Sequence, residues 1–516
     1  MLNYKVVESY EWTYPDIDFN KYGSGSDQIN IISAKNSYAT VQILLKNVPA
    51  DGKMNVTING LDDFDSNIYE LYPIYVESNP FLNQENVLPH FPERWAPYYI
   101  YDCLKPFTGN LKVVDGVSGL YLSFYISADA AHGIYNGSIK INEIEIPIVI
   151  NVYNATVPAE TLKFINGYSQ GHVAKYHGVE YGSEKWNELN VKYLKMMRHM
   201  RQNMLYTPGP SVTALGDNKY SFDFSRIEQF VSLAMSLGFK YFNGPSIGGR
   251  RSWKESTILV HGMPSMEYEA YCYLTQYLPA FVSFLKEKGW INNFYMGIAD
   301  EPNAENATEF RALCGLVRKL APEIKLMDAM SYGNLHGALD IWIPLNAEYD
   351  NHMKEIETFR MSGDEIWHYV CCGPRHGGYI NRFMDIPLLA TRYLFWGNYK
   401  YNLKGYLHWA VNVYQPGQDP FIQNCPSHTN ADSTTTLPSG DTHLIYPGDG
   451  EPWMAMRLEA QRESAEEYEL LKLLAEKNKK LADEICNECF KSFKDVEYDP
   501  VKFKKTKAKL LESLAE

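Results

Sequence analysis

The sequence predicts a multidomain β and α/β protein. An N-terminal β-sandwich covers residues 1–155, a (β/α)8 (TIM) barrel 156–475, and a charged helical C-terminal extension 476–516. Three observations predict it. Short apolar–polar alternations separated by turn residues fill the first part of the chain. Near residue 160 the period lengthens, and strand-like runs begin to alternate with helical ones. Eight strand candidates, most followed by a helix, then run as far as residue 475.

In the first region the runs Tyr38–Lys46, Met54–Ile58, Ile68–Val76, Gly119–Ile126, Gly137–Ile141 and Glu145–Val152 read as strands. Asn136-Gly137 and Pro49-Ala50-Asp51-Gly52 read as turns. This spacing suits a sandwich. Thr156-Val157-Pro158 reads as the exit to the next region. The barrel strands are expected at Leu162–Tyr168, Asn203–Tyr206, Phe239–Asn243, Asn293–Ala299, Ile324–Asp328, Ala338–Ile343, Glu365–Val370 and Gly405–Ala410. Helices fit at 184–200, 225–237, 267–288, 306–320, 353–360, 383–399 and 453–474. A doubly wound open sheet is the alternative, but no glycine-rich nucleotide fingerprint follows the first strand. The tail from 476 to 516 reads as a helical cap on the barrel.

In such a barrel the chemistry sits at the C-terminal tips of the strands. The fourth candidate ends in Asp300-Glu301-Pro302. Successive side chains point in different directions, so two adjacent acids can have different environments and separate roles. The plain alternative makes Asp300 the N-cap of the next helix, with Glu301 and Pro302 in its first turn. The other tips are polar as well. The third leads into Gly244-Pro245-Ser246-Ile247-Gly248-Gly249-Arg250, whose glycines could let the backbone approach a ligand. The seventh runs into Tyr369-Val370-Cys371-Cys372, and the eighth into His408-Trp409-Ala410-Val411-Asn412. Trp409 is the candidate stacking wall, and Tyr369, Asn412 and Arg250 are further candidates for the same cleft, chosen from their tip positions.

Composition narrows the classes. Net charge is −14, which disfavours nucleic acid and anionic membranes as partners. No apolar run is long enough to span a bilayer, so no membrane insertion is expected. The start lacks a basic segment followed by an apolar stretch, so a cytoplasmic location is expected unless a leader has been removed. Eight cysteines in 516 residues do not make a disulfide scaffold. The Cys486/Cys489 pair reads as incidental, and Cys371 and Cys372 as buried thiols. No metal site or cofactor is expected. Aromatic content is 14%, which suits a cleft that stacks sugar rings and equally an ordinary β core.

Glycoside hydrolysis usually employs two carboxylates several ångströms apart. Asp-Glu-Pro resembles the Asn-Glu-Pro that ends strand four in clan A retaining glycosidases, which keep their nucleophile at the tip of strand seven. Here that tip carries no carboxylate. If a protein nucleophile were used, a distant acid such as Glu348 or Asp385 would have to supply it. Substrate-assisted chemistry fits the adjacent pair better. In that chemistry the substrate's own 2-acetamido oxygen attacks the anomeric carbon. One acid protonates the leaving oxygen, and a second carboxylate orients the acetamido N–H and stabilises the oxazolinium.

Several stretches, in order, resemble glycoside hydrolase family 123, the β-N-acetylgalactosaminidases. They are Arg201-Gln202-Asn203-Met204, Phe222-Asp223-Phe224-Ser225-Arg226, Asp300-Glu301-Pro302, Asp340-Ile341-Trp342-Ile343-Pro344, Asn381-Arg382-Phe383-Met384-Asp385, Gly405-Tyr406-Leu407-His408-Trp409 and Tyr446-Pro447-Gly448. Arg457-Leu458-Glu459-Ala460-Gln461-Arg462 and Glu467-Tyr468 complete the set. The resemblance implies a β-sandwich followed by a (β/α)8 barrel, Asp300 as the acetamido-orienting residue and Glu301 as general acid/base. It implies exo-action on an oligosaccharide or glycoconjugate ending in β-linked N-acetylhexosamine, GalNAc above all. A glycosidase of other specificity on this scaffold, or a non-catalytic carbohydrate-binding protein, is the alternative.

Overall fold

The computed structural model describes all residues except 1, 17, 20–27, 81–87, 253–254, 331–333, 376, 427–435 and 516. It is a mixed β and α/β multidomain structure.

The N-terminal region builds two sheets. The larger has seven strands in the order Asn3–Glu8, Ser37–Lys46, Val117–Ile126, Asp65–Val76, Tyr98–Pro106, Pro452–Ala455 and Ile445–Pro447. The smaller has four, Ile29–Lys35, Ile144–Thr156, Gly133–Ile141 and Val56–Asn59. Period-two alternation decides which face is which. Val41, Ile43 and Leu45 of one sheet meet Ile146, Ile148 and Ile150 of the other in a common core. Leu44 on the opposite face of the same strand joins the main core of the protein.

Two details differ from the sequence reading. Asn136-Gly137 lies inside the strand Gly133–Ile141, and the hairpin turns instead at Asn142, whose φ of 51° is left-handed. Gly137 is required there because a Cβ would come within 2.5 Å of the Asn59 carbonyl oxygen. The start of the expected helix 453–474 is a strand. Pro452–Ala455 pairs antiparallel with Tyr98–Pro106, so chain from far along the sequence completes the N-terminal sheet.

The second region contains parallel strands, numbered here β1 (Lys163–Asn166), β2 (Met204–Tyr206), β3 (Tyr241–Gly244), β4 (Phe294–Met296), β5 (Lys325–Met330), β6 (Ile341–Pro344), β7 (Glu365–Ile366), β8 (His368–Tyr369) and β9 (Gly405–His408). They form a six-stranded ladder β2-β3-β4-β5-β6-β7 and a three-stranded ladder β1-β9-β8. A parallel bridge between Leu345 and Tyr369 connects β6 to β8. Between β1 and β2 the buried Asn203 takes the place of a ladder: its amide donates to Leu162 O at 2.8 Å, and its oxygen accepts from Phe164 N at 3.1 Å. Alternate residues, Ile165, Met204, Tyr295, Met327, Ala329, Ile341, Ile343, Tyr369 and Leu407, pack into a small core of their own. Their neighbours Phe164, Leu326, Trp342 and Tyr406 face the surrounding helices.

The expected helix 383–399 is two shorter ones, Leu388–Arg392 and Leu394–Tyr401. The helix Met456–Cys489 runs past residue 475 and breaks its regular backbone at Asn478. From Met456 to Leu471 every residue is buried, charged ones included, because the helix packs against the large sheet and against the helices Leu388–Arg392, Leu394–Tyr401 and Pro500–Ala515. Burying charge is costly unless each ion is paired. Arg462 meets Glu459 and Glu466 at 2.9 Å each, Arg392 meets Glu467 at 2.6 Å, and Arg457 meets Asp102 at 2.8 Å. The last helix, Pro500–Ala515, packs on this long helix and on the strand Ile144–Thr156.

Candidate active site

β4 leaves its sheet at Met296, and the three residues after it are buried. Their N–H groups would be unpaired but for side chains from the neighbouring strands. Gly297 N donates to Asn243 Oδ1 at 3.1 Å. Ile298 N and Ala299 N both donate to Asp328 Oδ2 on β5, at 2.9 Å each. The chain then turns sharply. Asp300 and Glu301 have φ of 30° and 45°, the left-handed region that side chains with a Cβ disfavour. Two such residues in succession cost on the order of 1–3 kcal/mol each and persist only when the surroundings impose them. Here Glu301 N donates to Ala329 O at 3.0 Å, and Arg250 Nη2 donates to the carbonyls of Asp300 and Glu301 at 2.7 and 3.0 Å. Asp300 does not cap a helix: the next one begins at Ala307 with Asn306 at its N-cap.

The strained turn presents both acids. Tyr369 OH, from β8, donates to Glu301 Oε1 at 2.6 Å. Burial and the charge of Glu301 push the Tyr369 hydroxyl up, so it stays a donor. Asp300 is exposed as a residue, yet its carboxyl lies close among protein groups. Desolvation, and next the charge of Glu301, raise that carboxyl to about 6, against the pull of Arg250. Behind it Asp328 is buried and raised to about 7, by burial and then by the charge of Asp300. Tyr206 is also held protonated, by burial and then by the charges of Asp300 and Asp328.

A second group centres on Asp441. Trp409 is half-buried and donates from Nε1 to Asp441 Oδ2 at 3.1 Å. Asp441 is fully buried and raised to about 8, first by burial and then by Cys372. His408 Nε2 lies 3.2 Å from Asp441 Oδ1, and burial keeps the imidazole neutral. Buried Arg382 ties this group down, donating to Asn166 Oδ1 at 3.1 Å, to Asp441 O at 2.9 Å and to Ala410 O. Arg457 in turn donates to the Arg382 and Gly440 carbonyls at 3.0 and 2.6 Å while paired to Asp102, which links the site to the large N-terminal sheet.

The structure therefore brings Asp300, Glu301, Tyr369 and Arg250 into direct contact. Arg250 reaches the backbone of the acid pair and acts as a clamp on the turn. Asn412 is different. It is buried, its oxygen accepts from Ser169 N at 2.8 Å, and its amide donates to Ser169 O at 3.0 Å. It is a strut between the chain after β1 and the chain after β9, rather than a group presented to a ligand. Gly248 serves a close approach within the protein, since a Cβ there would lie 2.8 Å from Ile258 and 2.9 Å from Leu259 O. Cys371 and Cys372 are partly exposed, not buried, and Glu301 bears electrostatically on both. The two alternative acids are elsewhere: Glu348 lies 3.4 Å from His352, and Asp385 is buried against Asn79.

Asp328, Asn243, Tyr206 and Asp441 escaped the sequence reading. An isolated acid inside the apolar run Leu326-Met327-Asp328-Ala329-Met330 is a readable signal for Asp328. Nothing local marks Asp441. Among the described residues, no group of three or more His, Cys, Asp or Glu side chains could hold a metal ion.

The model of the glycoside hydrolase 123 catalytic domain matches residues 169–474. Among solved structures, the chain is similar to a family 123 glycoside hydrolase from Clostridium perfringens described in terms of glycolipid glycan hydrolysis. Identity is 16%, the TM-score is 0.76, and the match covers 99% of this chain and 97% of that one. It is also matched by a family 39 glycoside hydrolase from Bacteroides cellulosilyticus, at 11% identity and a TM-score of 0.36 over 85% of this chain and 82% of that one, too low to bear on the fold. No curated protein matches the sequence.

Proposed function

Since the chain belongs to glycoside hydrolase family 123, and is a glycosidase on that ground, we propose that it is an exo-acting β-N-acetylgalactosaminidase working by substrate-assisted, retaining catalysis. The observation that carries this reading is the adjacent pair Asp300 and Glu301, whose neighbouring acids among the described residues are closed off. The neighbouring acids Asp328 and Asp441 are 8% and 0% exposed and occupied by protein donors. A covalent intermediate on the protein thus lacks an available nucleophile, and the substrate's acetamido oxygen fills that role.

In this reading β1 to β9 form one (β/α)8 barrel, with β7 and β8 as two segments of a single stave. The inner core drawn from alternate strand residues supports it. The acid pair then lies at the C-terminal ends of the strands, where barrel enzymes carry their chemistry. Glu301 protonates the leaving oxygen and later removes a proton from the attacking water. Tyr369 holds Glu301 through Oε1. Asp300, ionised above about pH 6, accepts the acetamido N–H and faces the positive charge of the oxazolinium. Its turn is pinned before substrate arrives, so little reorganisation is needed during reaction. Trp409, anchored through its indole N–H, offers a ring face to the sugar. The substrate class is the terminal β-linked N-acetylgalactosamine of an oligosaccharide or glycoconjugate, glycolipid glycans included.

A set of p-nitrophenyl glycosides tests this directly. β-GalNAc should be turned over well, β-GlcNAc less, and β-galactoside hardly at all. Efficient turnover of the β-galactoside would overturn the substrate-assisted mechanism. No turnover of any member would favour a carbohydrate-binding role.

A further inference from the structure

Trp409 follows the last residue of β9, and its backbone is fixed by close neighbours. Gly167 N donates to His408 O at 2.8 Å, Val411 N donates to Gly167 O at 2.7 Å, and a Cβ at Gly167 would lie 1.9 Å from Trp409 O. The stretch 437–446 runs alongside and is buried throughout. Val413 N donates to Thr442 O at 3.1 Å and Leu444 N to Val411 O at 2.9 Å, while Gly440 N donates to Asn424 O at 3.1 Å and Met384 N to Ser439 O at 3.0 Å. Glycine is required at 440, where φ is 80° and a Cβ would lie 2.6 Å from Arg457 Nη1. Arg382 Nη2 adds a bond to Asp441 O at 2.9 Å. Asp441 is therefore held at a fixed point, with an N–H group beside each carboxyl oxygen. Trp409 Nε1 donates to Oδ2 at 3.1 Å, and His408 Nε2 lies 3.2 Å from Oδ1. Since Ala410 N donates to His408 Nδ1 at 3.1 Å, the imidazole carries its proton on Nε2. The two rings lie nearly parallel, at 21° with centroids 6.2 Å apart.

We propose that Asp441 is a positioning residue of the glycan site, which locks the Trp409 ring in one orientation and so presents a preformed wall to the terminal sugar. The link to the sugar rests on the reading of Trp409 as that wall; the locking of the ring does not. Asp441 is 0% exposed, so it acts through Trp409 and not on the substrate. The Trp409 ring is half-buried and its backbone is fixed, which leaves rotation about its two side-chain torsions. The bond from Nε1 to a buried acceptor removes that freedom before substrate arrives. His408 stands against the other oxygen and limits rotation of the carboxyl group. A side chain ordered in advance does not have to be ordered on binding, which favours the complex roughly 3- to 10-fold.

The test uses NMR of the full-length protein with its tryptophans isotope-labelled at the indole nitrogen. The Trp409 signal is identified by its loss in Trp409→Phe, which keeps an aromatic face without the N–H. Exchange of that N–H with solvent is followed beside hydrolysis of p-nitrophenyl β-GalNAc and its inhibition by free GalNAc. In the parent the Trp409 N–H should exchange slowly. In Asp441→Leu, which keeps a branched shape and offers no acceptor, its signal should shift and exchange should quicken; Asp441→Asn, with one acceptor oxygen, should fall between. The inhibition constant for GalNAc should rise roughly 3- to 10-fold in Asp441→Leu. In a Trp409→Phe background the same substitution should change it little. Fast exchange in the parent would overturn the locking, and that result needs no variant of Asp441 to fold. An equal rise in both backgrounds would show that Asp441 does not act through Trp409. A ring freed by Asp441→Leu with GalNAc inhibition unchanged would overturn the link to the sugar. If no glycoside is hydrolysed and no GalNAc bound while exchange behaves as expected, the locking stands and the functional reading falls.

Discussion

The hydroxyl of Tyr369 donates to Glu301 Oε1 at 2.6 Å, across 68 residues of sequence. The bond joins the end of β8 to the strained turn after β4, and it uses one of the two oxygens of the acid. Tyr369→Phe removes the donor and leaves the ring. A hydrogen bond to a charged group contributes about 1.5–3 kcal/mol, so kcat should fall by roughly one to two orders of magnitude with KM little changed. Steady-state kinetics on p-nitrophenyl β-GalNAc checks it; an unchanged kcat would mean that Glu301 does not depend on this bond.

Glu301→Gln should lose most activity toward glycosides with poor leaving groups, because their oxygen needs a proton. General acid catalysis is worth roughly 10²–10⁴-fold. Aryl glycosides with good leaving groups should suffer less in the glycosylation step. A small and equal loss on both kinds of substrate would remove Glu301 from the role of acid.

Asp300 sets a pH dependence. Its folded carboxyl is raised to about 6, above the ordinary value of 3.8. Activity that needs its charge should fall as pH drops through about 6. The effect on stability has the opposite sense. Between about pH 4 and 6 the folded protein binds this proton more tightly than the unfolded chain, so stability declines as pH rises across that window, and the cost persists at pH 7. Asp300→Asn should therefore be poorly active, yet melt at pH 7 no lower than the parent. Asparagine also tolerates the left-handed backbone. A clear drop in Tm at pH 7 would show that the charge is compensated.

Asp328 can be separated into an acceptor and a charge. Asp328→Ala leaves the Ile298 and Ala299 N–H groups buried and unpaired, at about 1–3 kcal/mol each, and loosens the turn that carries the acids. Asp328→Asn keeps an acceptor oxygen. Thermal melts should rank the parent and Asn well above Ala, and kcat should follow the same order. Equal loss in the two variants would mean that the charge matters and the hydrogen bonds do not.

A thiazoline derived from GalNAc mimics the oxazolinium intermediate and should inhibit far more tightly than substrate binds, as analogues of high-energy states do. Proton NMR of the first-formed product should show retention of the β configuration. A 2-fluoro glycosyl adduct trapped on a protein carboxylate would instead show that the protein supplies the nucleophile.

Local periodicity made much of the fold readable. Period-two alternation located most strands, from Ser37–Lys46 to Gly405–His408, and helical spacing located the segments between them, because both depend on neighbours within a few residues. Asp-Glu-Pro at the end of a short apolar run marked Asp300 and Glu301 as candidates for the same reason. What one residue does to another far along the chain was not readable. The tertiary structure alone set Asp328 beneath the backbone after β4, 29 and 30 residues away, and Tyr369 against Glu301. It used both ends of the Asn412 amide on Ser169, and it drew Pro452–Ala455 into the N-terminal sheet beside Tyr98–Pro106. Each of these is a hydrogen bond between groups that only strand order and register bring within 3 Å or so, and neither is encoded in any short stretch of residues.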